Sequence, residues 1–599
     1  MKKRSLFFIF LFIWILSVCQ DGSGRLVILH TNDLHSNITG LSPEIEYNPC
    51  ATGIDQTRGG FSRIAGIIQE EKDKNPDNLL VLDAGDFLMG TFFHAIENQT
   101  GFQLPLMKKM GYDVIGLGNH EFDFGPDIFA EIVNKSFQNN EIPLLTLANI
   151  KFSKNKQGDK KLKNLYENGI IRNYHILERG GLKIGVFGLI GENASDVVPN
   201  IYPAEFTNHI KTAKKTVRKL RRKEKVDMVI CLSHGGIKKN KKDKWTGDDV
   251  KLAEKVKGID IIISGHSHTF LPEPIWIDET VIVQAGAYGK NIGRLELSFH
   301  NQKILQAKYQ LLKVDSSIKG DCYIHRDIAN QIRLIDEKIL RPMGLGYYLS
   351  IAETDYGLYH DRNPKKTDSN LGPFIADAIH YYINNHSGVK TDIAMIASGV
   401  IRSDLKPGNN GILIASDIFR LVSLGYGDDS IPGYPLAQIF LTARELKRLT
   451  EVLLIAKNKS MRKHCYFSGI NIFYDENKRF LRKVRKIEID GKEIDLRRRN
   501  KQLYGIVANS RMLESFGMIK KMSSGLVRIT PKNAEGNKIK NTKDAWIDFN
   551  PEKNGIQEGK EWTAIIKYIG TFEDKTGNNI NNFPEKYSES IIRIIQVEK

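Results

Sequence analysis

The chain has 599 residues, of which 41% are hydrophobic and 26% charged, and it carries a formal net charge of +17. This length exceeds what a single hydrophobic core usually supports, so we expect two sizeable domains. The composition is ordinary for a globular protein and excludes a disordered chain. The positive charge comes from lysines spread over segments such as 211–225 and 238–244, with no aromatic residues between them. This pattern favours a solvated surface over one that binds nucleic acid.

The first residues differ from the rest of the chain. A basic stretch at 1–4 precedes an almost entirely apolar run at 6–18, and polar residues follow from Gln20. The run is short for a membrane span, so we expect residues 1–19 to be a signal peptide that directs export to the periplasm, the outer cell surface or the medium. The segment 16–19 looks like a bacterial lipoprotein processing box, in which Cys19 is lipidated and anchors the protein to a membrane. Because Val18 stands where such boxes prefer Gly, Ala or Ser, plain cleavage nearby stays open as the alternative.

The cysteines are scattered through the sequence, at positions 19, 50, 231, 322 and 465. No two of them form a C-x-x-C pair, so their pattern gives no sign of a zinc or redox site. If Cys19 is lipidated, four remain. Disulfides are then permitted in an exported protein but are not indicated by the spacing.

Residues 26 to about 310 alternate short apolar runs with amphipathic helices. Several runs are rich in Val and Ile and apolar on both faces, as expected of strands covered by helices. The predicted strands are 26–31, 79–83, 114–117, 184–189, 226–232, 259–264 and 281–285. Isoleucines at 324, 328, 332, 335 and 339 then predict one amphipathic helix over 321–340, which we interpret as a connector.

A second α+β region follows the connector. It contains a helix after Asn370, a helix opened by the capping box of Thr442 and Glu445, and a hairpin that turns at Asp490 and Gly491 between 484–489 and 492–496. The expected domains are therefore 25–315 and 346–599, joined by a linker helix within 320–345.

The most informative feature is the position of Asp, His and Asn residues relative to the predicted strands. In an open α/β sheet, the carboxyl ends of the strands gather around one crevice. Side chains that can bind metal follow five of the predicted strands directly, and they are Asp33, His35, Asp86, Asn119, His234, His266 and His268. Two pairs are spaced two residues apart, which on an extended backbone places both side chains on the same side. Gly85, Gly118 and Gly265 stand beside these candidates, where we expect sharp turns.

The ligand types are a mixture of carboxylate, imidazole and amide oxygen. Such a mixture suits Mn²⁺, Zn²⁺, Fe²⁺ or Co²⁺ better than an all-oxygen calcium site or an all-thiolate site. Seven ligands exceed what one ion needs but suit two divalent ions that share a carboxylate.

These segments carry a family resemblance. Thr31-Asn-Asp-Leu-His35, Asp83-Ala-Gly-Asp86, Gly118-Asn-His-Glu-Phe-Asp123, Ser233-His-Gly-Gly236 and Gly265-His-Ser-His268 look like the motifs of calcineurin-like metallophosphoesterases, and more closely of the 5′-nucleotidase and UDP-sugar hydrolase branch, which includes 2′,3′-cyclic phosphodiesterases. The resemblance implies a four-layer α/β/β/α catalytic domain, a linker helix and a smaller α+β substrate-binding domain.

The resemblance also implies a role for each residue of the motifs. It assigns Asp33, His35 and His268 to one metal ion, and Asn119, His234 and His266 to the other, with Asp86 bridging both. His120 matches a catalytic histidine that does not bind metal, and Asp123 matches the carboxylate that orients it. The implied reaction is attack of a metal-bound hydroxide on the phosphorus of a small-molecule phosphate ester.

In the second region the resemblance is weaker. Ser398-Gly-Val-Ile-Arg402 resembles a motif whose arginine grips substrate, so we expect Arg402 to do so. Arg362 and Lys365 align loosely with further substrate-binding arginines, and a plain surface role is the alternative. Leu424 occupies a position where nucleotidases hold the base with a phenylalanine. Tyr426, Phe516 or the planar cation of Arg511 are candidates to replace that aromatic contact.

The sequence therefore predicts an exported two-metal phosphohydrolase, with nucleoside 5′-phosphates or related nucleotides as the expected substrates. One alternative is a phosphatase or phosphodiesterase of the same fold that acts on a non-nucleotide ester, or more remotely a sulfate-releasing thiosulfohydrolase. Another is an exported binding protein with an inactive metal site, which the complete set of ligands and His120 argues against.

Overall fold

A computed structural model of the chain describes residues 23–41, 43–139, 141–154, 157–198, 200–300, 303–360, 369–459, 464–497, 499–514, 519, 523 and 525–597. The predicted signal peptide with Cys19, and also Arg362, Lys365 and Phe516, lie outside the described residues. Among the residues that are described, no helix has both the length and the apolar character needed to cross a membrane.

The first half of the chain forms two large sheets. One has seven strands in the spatial order Lys303–Lys313, Asn291–His300, Ser23–Thr31, Leu79–Asp83, Val114–Gly116, Leu144–Thr146 and Ile171–Arg172. The other has six strands in the order Ile275–Ile277, Thr280–Val283, Ile261–Ser264, Met228–His234, Leu182–Ile190 and His175–Arg179. The strands that carry the motifs run parallel within each sheet. Two small pairs, Ile150–Lys151 with Glu205–Phe206 and Ile237–Lys239 with Trp245–Gly247, lie outside them.

Alternate residues of the strands are buried in different layers. Ile28, Leu82 and Ile230 belong to a core between the two sheets. Leu29 packs in a core on the outer face of the first sheet, and Cys231 packs in another on the outer face of the second. Each strand carries apolar residues on both of its faces, so both faces of each sheet must be covered. The other sheet covers one face, and helices cover the outer face. The arrangement confirms the predicted α/β/β/α layers.

The helices of the first half lie between the strands in sequence. They are the α-helices Phe61–Lys74, Phe92–Ala95, Glu97–Thr100, Gln103–Met110, Pro126–Asn139, Lys160–Glu167, Glu192–Ser195, His209–Lys219 and Asp248–Lys255, the 3₁₀ turns Glu44–Glu46 and His120–Phe122, and the π turn Leu220–Glu224.

The predicted strand boundaries are close to those observed. The strand at 79–83 is confirmed as predicted. The strand predicted at 226–232 lies at Met228–His234 instead, and the preceding turn ends at Lys225, which adopts a left-handed conformation with φ of 54°. His234 is the last residue of this strand, as expected of a ligand candidate at a strand end.

The connector is a helix, Cys322–Ile335, that continues as a π turn, Asp336–Leu340, and a 3₁₀ turn, Arg341–Met343. Asp321 caps it by accepting hydrogen bonds from two backbone N–H groups. A disulfide between Cys50 and Cys322 ties its first turn to the first half of the chain, with 5.6 Å between the two Cα atoms. No sequence pattern indicated this bond, because the two cysteines are 272 residues apart.

The second half contains smaller sheets and a few helices. One four-stranded sheet has the order Leu436–Thr442, Leu503–Asn509, Ile393–Ala397 and Cys465–Ser468, and another has Lys492–Glu493, Val484–Ile489, Ile470–Tyr474 and Ile594–Gln596. Ser350–Glu353 pairs with Ile412–Ile414. The α-helices are Leu371–His386, Ala415–Leu421, Ala443–Lys459, Ser510–Glu514 and Glu561–Ile569, and the 3₁₀ turns are Ser398–Val400, Thr542–Ala545 and Glu585–Tyr587.

Two local predictions in this half are confirmed. Thr442 and Glu445 form the capping box, since each accepts a hydrogen bond from the backbone N–H of the other. Asp490 and Gly491 both have positive φ, 48° and 73°, as a tight hairpin requires. The domain limits themselves stay predictions.

Candidate metal centre

The structure brings the predicted ligands of both large sheets to one place, at the carboxyl ends of their strands. Asp86 Oδ2 lies 2.9 Å from His234 Nε2 and 3.9 Å from His35 Nε2. His35 Nε2 in turn lies 3.0 Å from His268 Nε2. Asp86 follows the first sheet and His234 ends a strand of the second, so the cluster forms only when the two sheets pack together.

The remaining candidates join the same cluster. Asp33 Oδ1 lies 3.5 Å from His268 Nε2 and 3.7 Å from His234 Nε2, and it accepts the backbone N–H of His266 at 2.9 Å. His266 Nδ1 lies 3.0 Å from Asn119 Oδ1. All seven predicted ligands are therefore neighbours in space.

The backbone at this site is unusual. Five of the seven candidates have positive φ: Asp33 at 52°, His35 at 49°, Asp86 at 56°, His266 at 72° and His268 at 56°. Residues other than glycine rarely adopt this conformation, although Asp and His do so more readily than most, and it costs on the order of 1–3 kcal/mol for each residue. The fold holds these side chains in place against local backbone preference.

The neighbouring glycines act in two different ways. Gly85 has φ of 89° and makes the sharp turn that was predicted. Gly118 is needed for space instead, because a Cβ there would lie 2.3 Å from Asp86 Oδ1. A Cβ on Gly265 would likewise lie 2.6 Å from His234 Nδ1. Two of the three glycines therefore allow close approach rather than a turn.

The donor set fits divalent cations. Three groups of side chains each have their ligand atoms within 4.8 Å of one another: Asp33, His35 and His268; His35, Asp86 and His120; Asp86, His234 and His266. Carboxylate oxygen and imidazole nitrogen converging in this way are typical ligands of transition metals. Asp86 belongs to two of the groups, as a bridging carboxylate would. His234 donates Nδ1–H to the carbonyl of Ala84 at 2.8 Å, which orients the ring with Nε2 facing the cluster.

The electrostatics of the cluster are dominated by burial. Burial raises the pKa of Asp33 to about 7, although His234 opposes this. Burial also disfavours the Asp86 carboxylate, but the charges of His234 and His120 outweigh it and hold the pKa of Asp86 well below its usual range. The pKa of His35 is lowered well below its usual value, chiefly by burial. Buried carboxylates this close together need positive charge between them, which protons or divalent cations can supply.

His120 and Asp123 form a pair at the edge of the cluster. His120 Nδ1 lies 2.6 Å from Asp123 Oδ2, and the two side chains are 18% and 9% exposed. Burial lowers the pKa of His120, but Asp123 and Asp86 outweigh it, so the pKa is raised above its usual value. The structure thus places the predicted pair together, although His120 also lies close enough to His35 and Asp86 to be a ligand.

Two further residues support the site. Glu121 is 1% exposed and accepts backbone N–H groups of Asp86 at 3.0 Å and Gly118 at 2.6 Å, so it ties together two of the loops that carry ligands. It lies inside a motif that the sequence had singled out, as an acidic residue with no assigned role. Tyr288 has φ of 63°, and its ring centroid lies 5.6 Å from that of His35. No sequence signal pointed to Tyr288.

Two cavities adjoin the cluster. The first, of about 320 Å³, is lined by His35, Tyr288, Lys290, Arg402 and Arg420 among others. Arg402 Nη2 lies 3.5 Å from His35 Nε2, so this predicted substrate-binding residue does reach the site from the second half of the chain.

The second cavity, of about 400 Å³, begins at Asp123 and is rich in aromatic rings, contributed by Phe124, Tyr426, Tyr434 and Trp546, with Arg511 beside them. The rings of Phe124 and Tyr426 meet edge to face, 4.3 Å apart and at 81°. Leu424 lines neither cavity, and its carbonyl accepts the backbone N–H of Tyr434 at 3.2 Å.

Comparison with known proteins agrees with this architecture. Residues 26–270 match the calcineurin-like phosphoesterase family, and residues 350–520 match the 5′-nucleotidase C-terminal domain. The chain is 26% identical to the 5′-nucleotidase of Mus musculus over 493 residues, which is 78% of each protein. It is 27% identical over 419 residues to the trifunctional nucleotide phosphoesterase protein YfkN of Bacillus subtilis (strain 168), which is 65% of this chain but only 26% of that longer protein.

Solved structures share the fold. A 5′-nucleotidase precursor from Thermus thermophilus superposes with a TM-score of 0.67 at 20% identity, over 96% of this chain and 100% of that one. The sulfate thiohydrolase SoxB of the same organism gives a TM-score of 0.63 at 16% identity, over 96% and 97%. These likenesses, at 20% identity or less, concern the fold. The matches of both halves and the 5′-nucleotidase relative show that the chain belongs to the 5′-nucleotidase family of metal-dependent phosphoric ester hydrolases, built from a calcineurin-like phosphoesterase domain followed by a 5′-nucleotidase C-terminal domain.

Proposed function

We propose that the protein is an exported two-metal phosphohydrolase that acts on nucleoside 5′-monophosphates. The observation that carries the substrate class is the aromatic cavity that begins at Asp123, beside the candidate metal centre. The relatives named as nucleotidases support the same class.

In this proposal the clustered side chains hold two divalent cations. Asp33, His35 and His268 would hold one ion, Asn119, His234 and His266 would hold the other, and Asp86 would be shared between them. When bound, such ions supply an acidified water and neutralise the charge on phosphoryl oxygens. Glu121 and the strained backbone keep the ligands in position, so little reorganisation is needed when the substrate arrives.

His120 handles charge on the substrate. The nearby carboxylates of Asp123 and Asp86 favour its protonated form, which can stabilise the phosphate or pass a proton to the leaving oxygen. Asp123 binds Nδ1 and so fixes the ring orientation, with Nε2 free to face the substrate. Arg402 grips the ester from the second half of the chain.

The leaving group occupies the aromatic cavity. Phe124 and Tyr426 meet edge to face, so they offer a base one flat ring surface and not two parallel ones. Stacking on one aromatic ring contributes roughly 1–3 kcal/mol per base and tolerates any base. We therefore expect the four nucleoside monophosphates to bind with similar affinity.

The proposed location follows from the first residues of the sequence. The basic and apolar segments at 1–18 support export, and Cys19 supports membrane anchoring by a lipid as an alternative to release. Relatives that include a snake venom 5′-nucleotidase are in line with an exported enzyme.

The test is a substrate panel. We expect kcat/KM for the four nucleoside monophosphates to agree within about tenfold, and to exceed that for ribose 5-phosphate by roughly 5- to 150-fold, which is the value of one stacked ring. Tyr426→Leu should remove most of this preference. Tyr323→Leu is the matched control, since Tyr323 is 67% exposed on the linker helix and lines neither cavity.

Equal kcat/KM for nucleotides, ribose 5-phosphate and glycerol phosphate would instead identify a general phosphatase. Sulfate release from an S-sulfonate, R–S–SO₃⁻, which water splits into a thiol and hydrogen sulfate, together with no phosphate release from any ester, would favour the thiosulfohydrolase alternative. A purified protein that binds metal but releases neither product would favour the binding protein.

A further inference from the structure

A buried ion pair joins the two halves of the chain close to the candidate metal centre. Glu44 lies in the turn Glu44–Glu46 and is 1% exposed, and Arg420 lies in the helix Ala415–Leu421 and is 3% exposed. Glu44 Oε2 is 3.0 Å from Arg420 Nη2. Because the loss of hydration offsets most of the attraction in a buried ion pair, stability alone is a weak reason for its presence.

Glu44 is fully hydrogen-bonded. Its carboxylate accepts hydrogen bonds from the hydroxyl groups of Thr39 and Tyr347, both at 2.5 Å, and of Ser416 at 2.6 Å. Its backbone N–H donates to Asp417 Oδ1 at 3.1 Å. Since Ser416 and Asp417 belong to the same helix as Arg420, the helix is fixed on this turn at three points.

Arg420 also binds the loop that directly follows His35. Its Nη1 donates to the carbonyl of Gly40 at 3.0 Å, and its Nη2 donates to Thr39 Oγ1 at 2.8 Å. The guanidinium therefore contacts Thr39 and Gly40, which are four and five residues after the predicted metal ligand His35.

The contacts close into a ring. Leu421, the next residue after Arg420, accepts the backbone N–H of Arg402 at 2.9 Å. The side chain of Arg402 then reaches back to His35, with 3.5 Å between Nη2 and Nε2. This closed series of contacts thus joins the loop after His35 to the end of the helix that carries Arg420.

We propose that Arg420, held by Glu44, is a positioning residue that sets the place of the Arg402 guanidinium relative to His35. It acts on Arg402 through the carbonyl of Leu421, while its own contacts with Thr39 and Gly40 anchor this end of the helix to the first half of the chain. The inference rests on the proposed function only in taking Arg402 as a group that grips the ester. Misplacement of a positioned group by about 1 Å lowers the rate by about 100-fold.

The experiment measures kcat/KM on whichever phosphate ester the wild-type enzyme hydrolyses best. We expect Arg420→Lys and Glu44→Gln each to lower it by about 10- to 100-fold, with metal content unchanged. In the double variant Arg402→Ala/Arg420→Lys, the loss should equal that of Arg402→Ala alone, because Arg420 acts only through Arg402.

The matched control is Arg593→Lys. Arg593 Nη2 lies 2.7 Å from Asp377 Oδ1, with side chains 20% and 12% exposed, and this pair lies wholly within the second half of the chain. We expect the control to lower the melting temperature but to keep kcat/KM within threefold of wild type. If Arg420→Lys fails to fold, Glu44→Gln takes its place, because it keeps the shape of the side chain. The double variant Arg402→Ala/Glu44→Gln is then compared with Arg402→Ala alone.

Two results would overturn the proposal. One is a double variant whose loss is the product of the two single losses, since Arg420 would then act independently of Arg402. The other is folded Arg420→Lys and Glu44→Gln enzymes with kcat/KM within threefold of wild type. The comparison of single and double variants can be made with any ester that the enzyme hydrolyses. A wrong substrate class would therefore show in the substrate panel and would leave this comparison unaffected.

Discussion

Replacement of His120 by alanine separates two roles that its position allows. The ring lies beside Asp123 as an acid or base would, yet it also lies within reach of a cation between His35 and Asp86. We expect the first role. His120→Ala should then keep the metal content of wild type and slow turnover by about 10²–10⁴-fold, the usual effect of removing a positioned proton donor or acceptor.

The contribution of Asp123 can be worked out from the pair itself. A hydrogen bond to a charged group contributes about 1.5–3 kcal/mol and a neutral one about 0.5–1.5 kcal/mol, so Asp123→Asn removes roughly 1–1.5 kcal/mol. That corresponds to about 5- to 13-fold in rate. Exposure of only 18% and 9% means that solvent screens the pair little. The double variant should be no slower than His120→Ala, because Asp123 acts through the imidazole.

The assay combines metal analysis of the purified variants with kcat on the best ester. Loss of one metal equivalent from His120→Ala would show that His120 is a ligand and refute the assignment. A double variant clearly slower than His120→Ala would show that Asp123 contacts the substrate or a metal ligand by itself.

Three further predictions concern other parts of the site and fold. Asp86→Asn should abolish paired-metal binding and turnover together, as chelation should do reversibly with Mn²⁺ or Co²⁺ restoring activity; chelator-resistant phosphatase activity would contradict the two-metal site. Arg402→Ala should lower kcat/KM for the preferred ester more than for p-nitrophenyl phosphate, which needs less from the second half, and equal losses would make Arg402 structural. Cys322→Ala should lower the free energy of unfolding by about 2–4 kcal/mol in denaturant titrations under oxidising conditions, and an unchanged value would argue against the disulfide with Cys50.

Much of the fold could be predicted because its signals are local. The strand at 79–83 and the linker helix follow from apolar periodicity, which burial on one or both faces imposes on neighbouring residues. The hairpin at Asp490 and Gly491 follows from the positive φ that its turn needs. The ligand candidates were recognisable because they follow strand ends, which parallel topology gathers at one edge.

Other features depend on contacts between distant segments. The pairing of Cys50 with Cys322, the ring contacts of Tyr288 with His35, and the aromatic corner of Phe124 and Tyr426 each join residues far apart in the chain. Gly118 was expected to make a turn, but packing against Asp86 requires its small size instead. No local sequence pattern shows which loops will contact each other in the folded protein.

The sequence by itself determined which residues are candidates for metal binding. Metal ligands must be particular residue types, and the short motifs that carry them at the strand ends can be read directly from the linear chain. Tertiary structure alone decided the distances between these residues and the side chains that surround them. The 2.9 Å approach of Asp86 to His234 needs the two sheets packed face to face. The reach of Arg402 to His35 needs the second half docked on the first. Distances of this kind are set by the packing of whole layers, to which many residues each contribute a little, and so no single stretch of sequence carries them.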